Sequence, residues 1–471
     1  MSAARPPEGA RPLLQEGVRE VHEVTSLGEV MTRRPRPWKR AAAWLALLGP
    51  LFYATYGFAN WWASTRSQVP VLVFEWERGL PFWPWTIFPY WTINAFYALS
   101  LFLARDRHVL DRHAARLLTA QAVAVACFIL WPLRFSFGQP AVEGAPAFLF
   151  NALRGFDQPF NQAPSLHIAL AVILWDFYRR LIHAQWARIV LHLWTFAICA
   201  SVLTTWQHHF IDIPTGALLG LVCAWLWPLE RVVALPRAWR LARDPQRWKL
   251  AGCYAAGVLL FLAVALGLQG AALWLAWPAA ALAGVALNYA GFGARGFRMD
   301  SHGRMHWSAR WLFAPYRLGA ALSARLWTRG LPASVEVAPG LRLGRRPSLA
   351  EWEAAGRPRL LSLCAELQLP PVPGARCVPM LDLALPGAAQ LRRAVAVIQG
   401  QRGSGQPVWV CCALGFSRSA ASVVAWLGLH GAAGTLAAAH AAVRQARPQI
   451  VLRAGWLALL DQLTSGKGRH E

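Results

Sequence analysis

A short β-like run, Val408 to Val410, leads into Cys411 and Cys412; Arg418 and Ser419 follow after five residues, and then an alanine-rich helical stretch. Attack of a thiolate on phosphorus requires that order. Cys412 would lie at the foot of a loop in which the backbone N–H groups of Ala413, Leu414, Gly415, Phe416 and Ser417 converge on one anion. The N-terminus of the following helix adds its positive end. Such surroundings favour the thiolate, which is the nucleophilic form. Arg418 would grip two phosphate oxygens in bidentate fashion. Gly415 gives the loop a permissive backbone, and Ser419 can hydrogen-bond the sulfur as it leaves.

A second constellation is Pro164-Ser-Leu-His167 and, forty residues on, His208-His-Phe-Ile-Asp212. Both histidines fall at the outer ends of apolar stretches, where an ionisable residue is a functional candidate. His208 and Asp212 are one helical turn apart, so the carboxylate can orient the imidazole. Arg134, in Trp-Pro-Leu-Arg, stands just past the outer end of another stretch. A cation, two histidines and a carboxylate therefore fall at one depth. His209 reads as a neighbour without a catalytic role, and Asp157 and Asn161 as residues of the outer loop.

The elements that must hold these residues differ in kind. Of the 471 residues 56% are hydrophobic, and 26 are Trp. Eight apolar stretches lie near 41–60, 89–104, 117–133, 164–182, 188–206, 209–228, 249–268 and 271–290, each near the roughly 20 residues that cross a bilayer. None follows residue 291. The expected fold is an all-α polytopic membrane bundle of about eight spans, followed by a soluble α/β domain. The division is a disordered basic tail over 1–40, a six-span domain over 41–228, two further spans over 229–290, a basic and aromatic linker over 291–332, and a soluble domain over 333–471. In that last part β-like runs (Leu360 to Leu363, Val408 to Val410) alternate with helical stretches near 388–400, 418–430, 435–446 and 453–463, the pattern of an α/β sheet.

The net charge of +24 is concentrated in alternate loops: Arg33 to Arg40, Arg105 to Arg116, Arg179 to Arg188 and Arg231 to Lys249. That is the signature of cytoplasmic loops, and no nucleic-acid recognition module accompanies it. Both termini are expected in the cytoplasm and the His167/His208 site on the periplasmic side of a cell inner membrane. The mixed Trp, Phe and Arg residues of 304–330 read as an interfacial helix on an anionic leaflet. The eight cysteines show no zinc or disulfide spacing, which fits a reducing compartment for the soluble domain.

The segment around Cys412 closely resembles the signature of protein tyrosine and dual-specificity phosphatases: Cys, five residues, Arg, then Ser or Thr. The resemblance covers about residues 333–465. It implies a general-acid Asp about thirty residues upstream, where Asp382 stands in Met-Leu-Asp-Leu and would protonate the leaving oxygen. Arg447-Pro448, with Ile450 and Leu452, resembles the family's C-terminal helix ending. The family's usual His before the nucleophile is replaced by Cys411. The other constellation resembles the type 2 phosphatidic acid phosphatase superfamily, most of all its inositol phosphorylceramide synthase-like branch, in which Pro-Ser-Leu-His is usual. This covers about residues 45–228. It implies His208 as a nucleophile backed by Asp212, His167 as the acid, and Arg134 on the phosphate. Here too the pattern departs: Cys127 stands where the parent family has Lys, and Ser201-Val202 where it has Ser-Arg. With fewer cations, a phosphodiester is better matched than a dianionic monoester.

Together these readings imply a bifunctional membrane phosphatase or phosphotransferase: an outward His-dependent site acting on lipid phosphate or headgroup, and a cytoplasmic Cys-dependent site acting on a phosphorylated lipid headgroup or a phosphoprotein. Neither chemistry calls for a metal or a cofactor. The competing expectation is a lipid transporter or scaffold carrying a pseudophosphatase sensor.

Overall fold

The computed structural model of the chain describes residues 36–431 and 433–464; all but the last five residues of the expected N-terminal tail lie outside them. Among the described residues the first part is built chiefly from α1 (Trp38–Ser64), α2 (Ile87–Leu103), α3 (Arg107–Leu130), α4 (Ala145–Arg154), α5 (Leu166–Tyr178), α6 (Gln185–Thr204), α7 (Asp212–Leu226), α8 (Pro245–Leu268) and α9 (Ala276–Leu287), with one further short helical turn at Leu235–Ala238. Among the described residues six helical segments are long and apolar enough to cross a membrane; the last, Gly270–Phe297, contains α9 and a π-helical turn over Asn288–Phe292.

Two of the eight expected apolar stretches form shorter helices. α5 and α7 have 13 and 15 residues, about 20 Å each at 1.5 Å per residue, yet both run between the two ends of the bundle: α5 from Ser165 beside His208 to Asp176 beside Arg116, and α7 from Asp212 beside His208 to Trp227, whose carbonyl accepts from Arg116. They are the buried centre of the bundle. A Cβ on Gly216 would lie 2.4 Å from the Ser165 carbonyl oxygen, and one on Gly220 would lie 2.8 Å from the Val172 Cβ. Small residues thus let the two helices touch backbone to backbone.

The loop expected after the second span is also shorter than its arginines suggested. Asp106 caps α3 by accepting the Val109 N–H at 2.9 Å, so Arg107, Arg112 and Arg116 are helical. Arg116 turns inward and meets Asp176 at 2.8 Å, both side chains fully buried. Asp176 also holds Arg179 and Arg180, and Arg180 holds Glu230 at 2.7 Å. These charges pair at one end of the bundle, as buried charges must.

The linker forms α10 (Trp307–Leu312) and α11 (Ala314–Trp327). Leu318, Leu322 and Leu326, four residues apart, are exposed on α11 beside Trp311 and Trp327, with Arg310, Arg317, Arg325 and Arg329 interspersed. An apolar stripe flanked by arginines is the composition of a helix lying in a membrane interface.

The C-terminal part is a five-stranded sheet among the described residues, ordered β1-β2-β5-β3-β4, with β1 (Ser334–Ala338), β2 (Leu341–Arg345), β3 (Arg359–Cys364), β4 (Arg376–Met380) and β5 (Val408–Cys412). Only the β1–β2 pair is antiparallel. Helices α12 (Ala388–Arg402), α13 (Arg418–His430), α14 (Leu436–Ala446) and α15 (Ala454–Thr464) follow the expected positions closely. Strands β1, β2 and β4 have no counterpart in the sequence reading, because their apolar residues are too few to stand out. Along β5 the side chains alternate. Val408, Val410 and Cys412 pack with Leu391, Ile398 and Val423, whereas Trp409 and Cys411 face Trp352 and Leu360 on the other side.

The sheet domain is docked on the bundle. Tyr289, Phe292, Phe297 and Phe313 share one apolar cluster with Ala365, Leu381 and Ala384. The Cys377 N–H bonds the Ser301 carbonyl at 2.8 Å and the Leu369 N–H the Gly303 carbonyl at 3.0 Å.

Candidate active sites

Cys412 ends the central strand and Arg418 opens α13, so the five residues between them must turn within one loop. Gly415 makes the turn with φ +79°, and a Cβ there would sit 2.5 Å from the Gly344 carbonyl carbon, so both conformation and space call for glycine. Its N–H donates to Cys412 Sγ at 3.2 Å, and the Ser419 hydroxyl donates to the same sulfur at 3.2 Å. Arg447 steadies the loop from behind, donating to the carbonyl of Leu414 at 3.3 Å and to that of Pro332 at 3.3 Å. Two donors and a helix N-terminus therefore meet at one buried sulfur, where negative charge is stabilised.

Arg418 is buried, and both of its terminal nitrogens are paired. It donates to both Glu366 carboxylate oxygens at 2.9 and 2.7 Å and to the Met380 carbonyl at 3.0 Å, and it lies 3.0 Å from Asp382. Burial acts against its charge, yet Asp382 and Glu366 push the guanidinium's pKa well above its ordinary value. The sequence reading did not single out Glu366. A buried Arg needs a carboxylate partner, but nothing in the spacing marks which one. Asp382 is brought beside Arg418, its carboxylate partly exposed, and its main-chain carbonyl accepts the Tyr289 hydroxyl at 2.9 Å. Cys411 points to the opposite face of the sheet, and burial raises its thiol pKa. The residue that departs from the phosphatase signature is thus out of reach of the loop's anion.

The second group assembles at the far end of the bundle. Trp274, in the turn between α8 and α9, contacts the Phe210 ring at 6.1 Å, whereas Tyr289 meets Asp382. Fifteen residues separate these two markers, about 20 Å at helical rise. His208 lies in the turn between α6 and α7. Its Nδ1 lies 3.1 Å from the Asp212 carboxylate and its Nε2 lies 3.2 Å from the Ser165 hydroxyl. Ser165 also caps α5 by accepting the Ile168 N–H, so a positioning residue that the sequence reading left without a role stands between His208 and the next helix. His167 stacks on Tyr90 with ring centroids 4.0 Å apart, and its buried Nε2 has no hydrogen-bond partner.

Two cavities meet here. One of about 230 Å³ is lined by His167, Tyr90 and apolar residues of α1 and α2; the other, of about 590 Å³, is lined by Arg154, Gln158, Asn161, Gln162 and Gln207. Tyr56, Leu153, Asp157 and His208 line both, and the Tyr56 hydroxyl donates to Asp157 at 2.9 Å. Arg134 is not among the lining residues. It is exposed, on a segment whose backbone bonds Pro70, and Arg154 is the cation that faces the cavity. His209 bonds Glu77 at 3.0 Å and receives the Ser136 N–H at 3.2 Å, pinning the loops around His208.

No protein-family model and no curated protein matches the chain. Solved structures similar to part of it include a mouse dual specificity phosphatase complexed with zinc tungstate, at 26% identity over 29% of this chain and 89% of that one (TM-score 0.27). Human DUSP28 is 29% identical over 28% of this chain and 94% of its own (TM-score 0.26). PTPMT1 in complex with PI(5)P is 19% identical over 28% and 95% (TM-score 0.24).

Proposed function

We propose that this chain is an integral membrane phosphatase whose Cys412 site hydrolyses phosphomonoesters. One observation carries the reading: Cys412 Sγ receives two hydrogen bonds at 3.2 Å at the foot of a loop that ends on a buried Arg418. The Cys412 thiolate attacks phosphorus, the S–P bond forms as the P–O bond to the leaving group breaks, and Asp382 gives its proton to the departing oxygen. Water then attacks phosphorus, Asp382 takes back a proton, inorganic phosphate leaves, and Ser419 hydrogen-bonds the sulfur as it is released. The test is release of phosphate from an aryl phosphate by the purified full chain. Vanadate-sensitive turnover supports the enzyme, and its absence favours a phosphate-sensing scaffold or a lipid transporter.

A second activity belongs to the bundle. His208 stands between Asp212 and Ser165 where two cavities meet. This supports a phosphohistidine-forming nucleophile for lipid phosphate or headgroup transfer, with His167 as the acid. The arginine distribution supports placing this site on the periplasmic side of an inner membrane and both termini in the cytoplasm.

A further inference from the structure

The Cys412 loop does not open onto free solvent alone. A cavity of about 430 Å³ lies against it, floored by Glu366, Asp382, Ala413 and Leu414, and its other walls come from the membrane half. Tyr254 and Phe261 contribute from α8, Leu282 from α9, and Tyr316 and Gly319 from α11. Phe261 is seven residues beyond Tyr254, about 10 Å further along the helix axis. The cavity therefore begins at the phosphate loop and continues as an apolar groove between two spans. Its side toward α11 is low, since nothing lies within 4 Å of a Cβ built on Gly319. The outer face of the same helix carries Leu318, Leu322 and Leu326, which places the bilayer surface beside the groove.

We infer that the substrate of the Cys412 site is a phosphomonoester lipid that stays in the bilayer: its phosphate reaches the loop past Tyr254 and Tyr316, and its acyl portion lies in the groove between α8 and α9. This rests on the Cys412 reading and names its substrate class. A phosphorylated protein segment would need an open, polar approach and would gain nothing from Phe261 and Leu282. A lipid phosphate gains apolar contact along the spans while its headgroup meets the buried Arg418.

The experiment uses the full chain carrying His208→Ala throughout, so that lipid turnover reports the Cys412 site alone, in phosphatidylcholine vesicles. Vesicles carry phosphatidic acid in one arm and a phosphatidylinositol monophosphate in another; a phosphotyrosine peptide and p-nitrophenyl phosphate are supplied in solution. The expected result is hydrolysis of a vesicle lipid. Gly319→Leu, which fills open space in a helix, should lower the ratio of lipid to aryl-phosphate turnover by about tenfold. Leu282→Trp should do the same, and Leu266→Trp, on an exposed face of α8 outside the groove, should keep the parent ratio. An unchanged ratio in both groove variants, or turnover of the phosphopeptide in preference to both lipids, would overturn the proposal. Failure of the parent to hydrolyse p-nitrophenyl phosphate would overturn the Cys412 reading itself, and this proposal with it.

Discussion

The hydroxyl of Tyr289, at the sheet-domain end of the last long apolar helical segment, donates to the main-chain carbonyl of Asp382 at 2.9 Å. A residue of the helical bundle thus holds the segment that carries the candidate acid of the sheet domain, whose carboxylate lies 3.0 Å from Arg418.

Tyr289→Phe should weaken this placement without touching phosphate. One hydrogen bond of about 1 kcal/mol corresponds to roughly a fivefold change, so kcat for an alkyl phosphate should fall by about that factor. Asp382→Asn should cost on the order of 10²-fold with the alkyl phosphate and much less with p-nitrophenyl phosphate, whose leaving group needs no proton. Equal losses on both substrates would remove Asp382 from the acid role.

Cys412→Ser should abolish aryl-phosphate hydrolysis, and Cys411→Ala should leave it within a few-fold, because that side chain packs against Trp352 and Leu360 on the far face of the sheet. Steady-state turnover of the two purified variants decides between the adjacent cysteines.

Glu366→Gln keeps the size of the side chain and removes the charge that clasps Arg418. Turnover should fall on the order of 10²-fold, and Arg418→Lys should be at least as severe, since an ammonium cannot replace the two parallel bonds at 2.9 and 2.7 Å. A Glu366→Gln enzyme with wild-type kcat would show that the clasp has no part in placing the guanidinium.

His208→Ala should remove lipid-directed phosphotransfer and leave aryl-phosphate hydrolysis intact, and Cys412→Ser should do the reverse, because Trp274, which packs near the His208 turn, and Tyr289, which holds the Asp382 segment, are about 20 Å apart by helical rise. Ser165→Ala should slow the His208 reaction by about tenfold or less, as expected for a group that positions the imidazole. If either His208→Ala or Cys412→Ser silences both activities in folded protein, the two-site reading fails.

Asp176→Ala leaves Arg116 charged and buried without its partner, which should destabilise the bundle by about 3–5 kcal/mol. A thermal melt of the detergent-solubilised protein gives the answer; an unchanged midpoint would show that the ion pair contributes little.

What the chain determines by itself is what lies within one turn or one loop. Cys412, Gly415, Arg418 and Ser419 meet because a strand end, a glycine with positive φ and a helix start leave them no other arrangement. His208 meets Asp212 across the short turn that leads into α7, rather than along a helix. The apolar stretches follow from composition, though not their place in the bundle: only the packing of α5 and α7 through Gly216 and Gly220 shows them as its centre. Partners far apart in the chain were decided by tertiary structure. Glu366 lies 52 residues from Arg418, Ser165 43 from His208, and Asp176 60 from Arg116. Arg134, expected on the phosphate, is exposed and is not among the residues lining the cavity, whereas Arg154 is. The reason is physical: a motif's spacing constrains atoms only over the few residues across which backbone geometry is rigid. Which carboxylate meets a buried arginine, and which span walls an active site, depends on how whole elements pack.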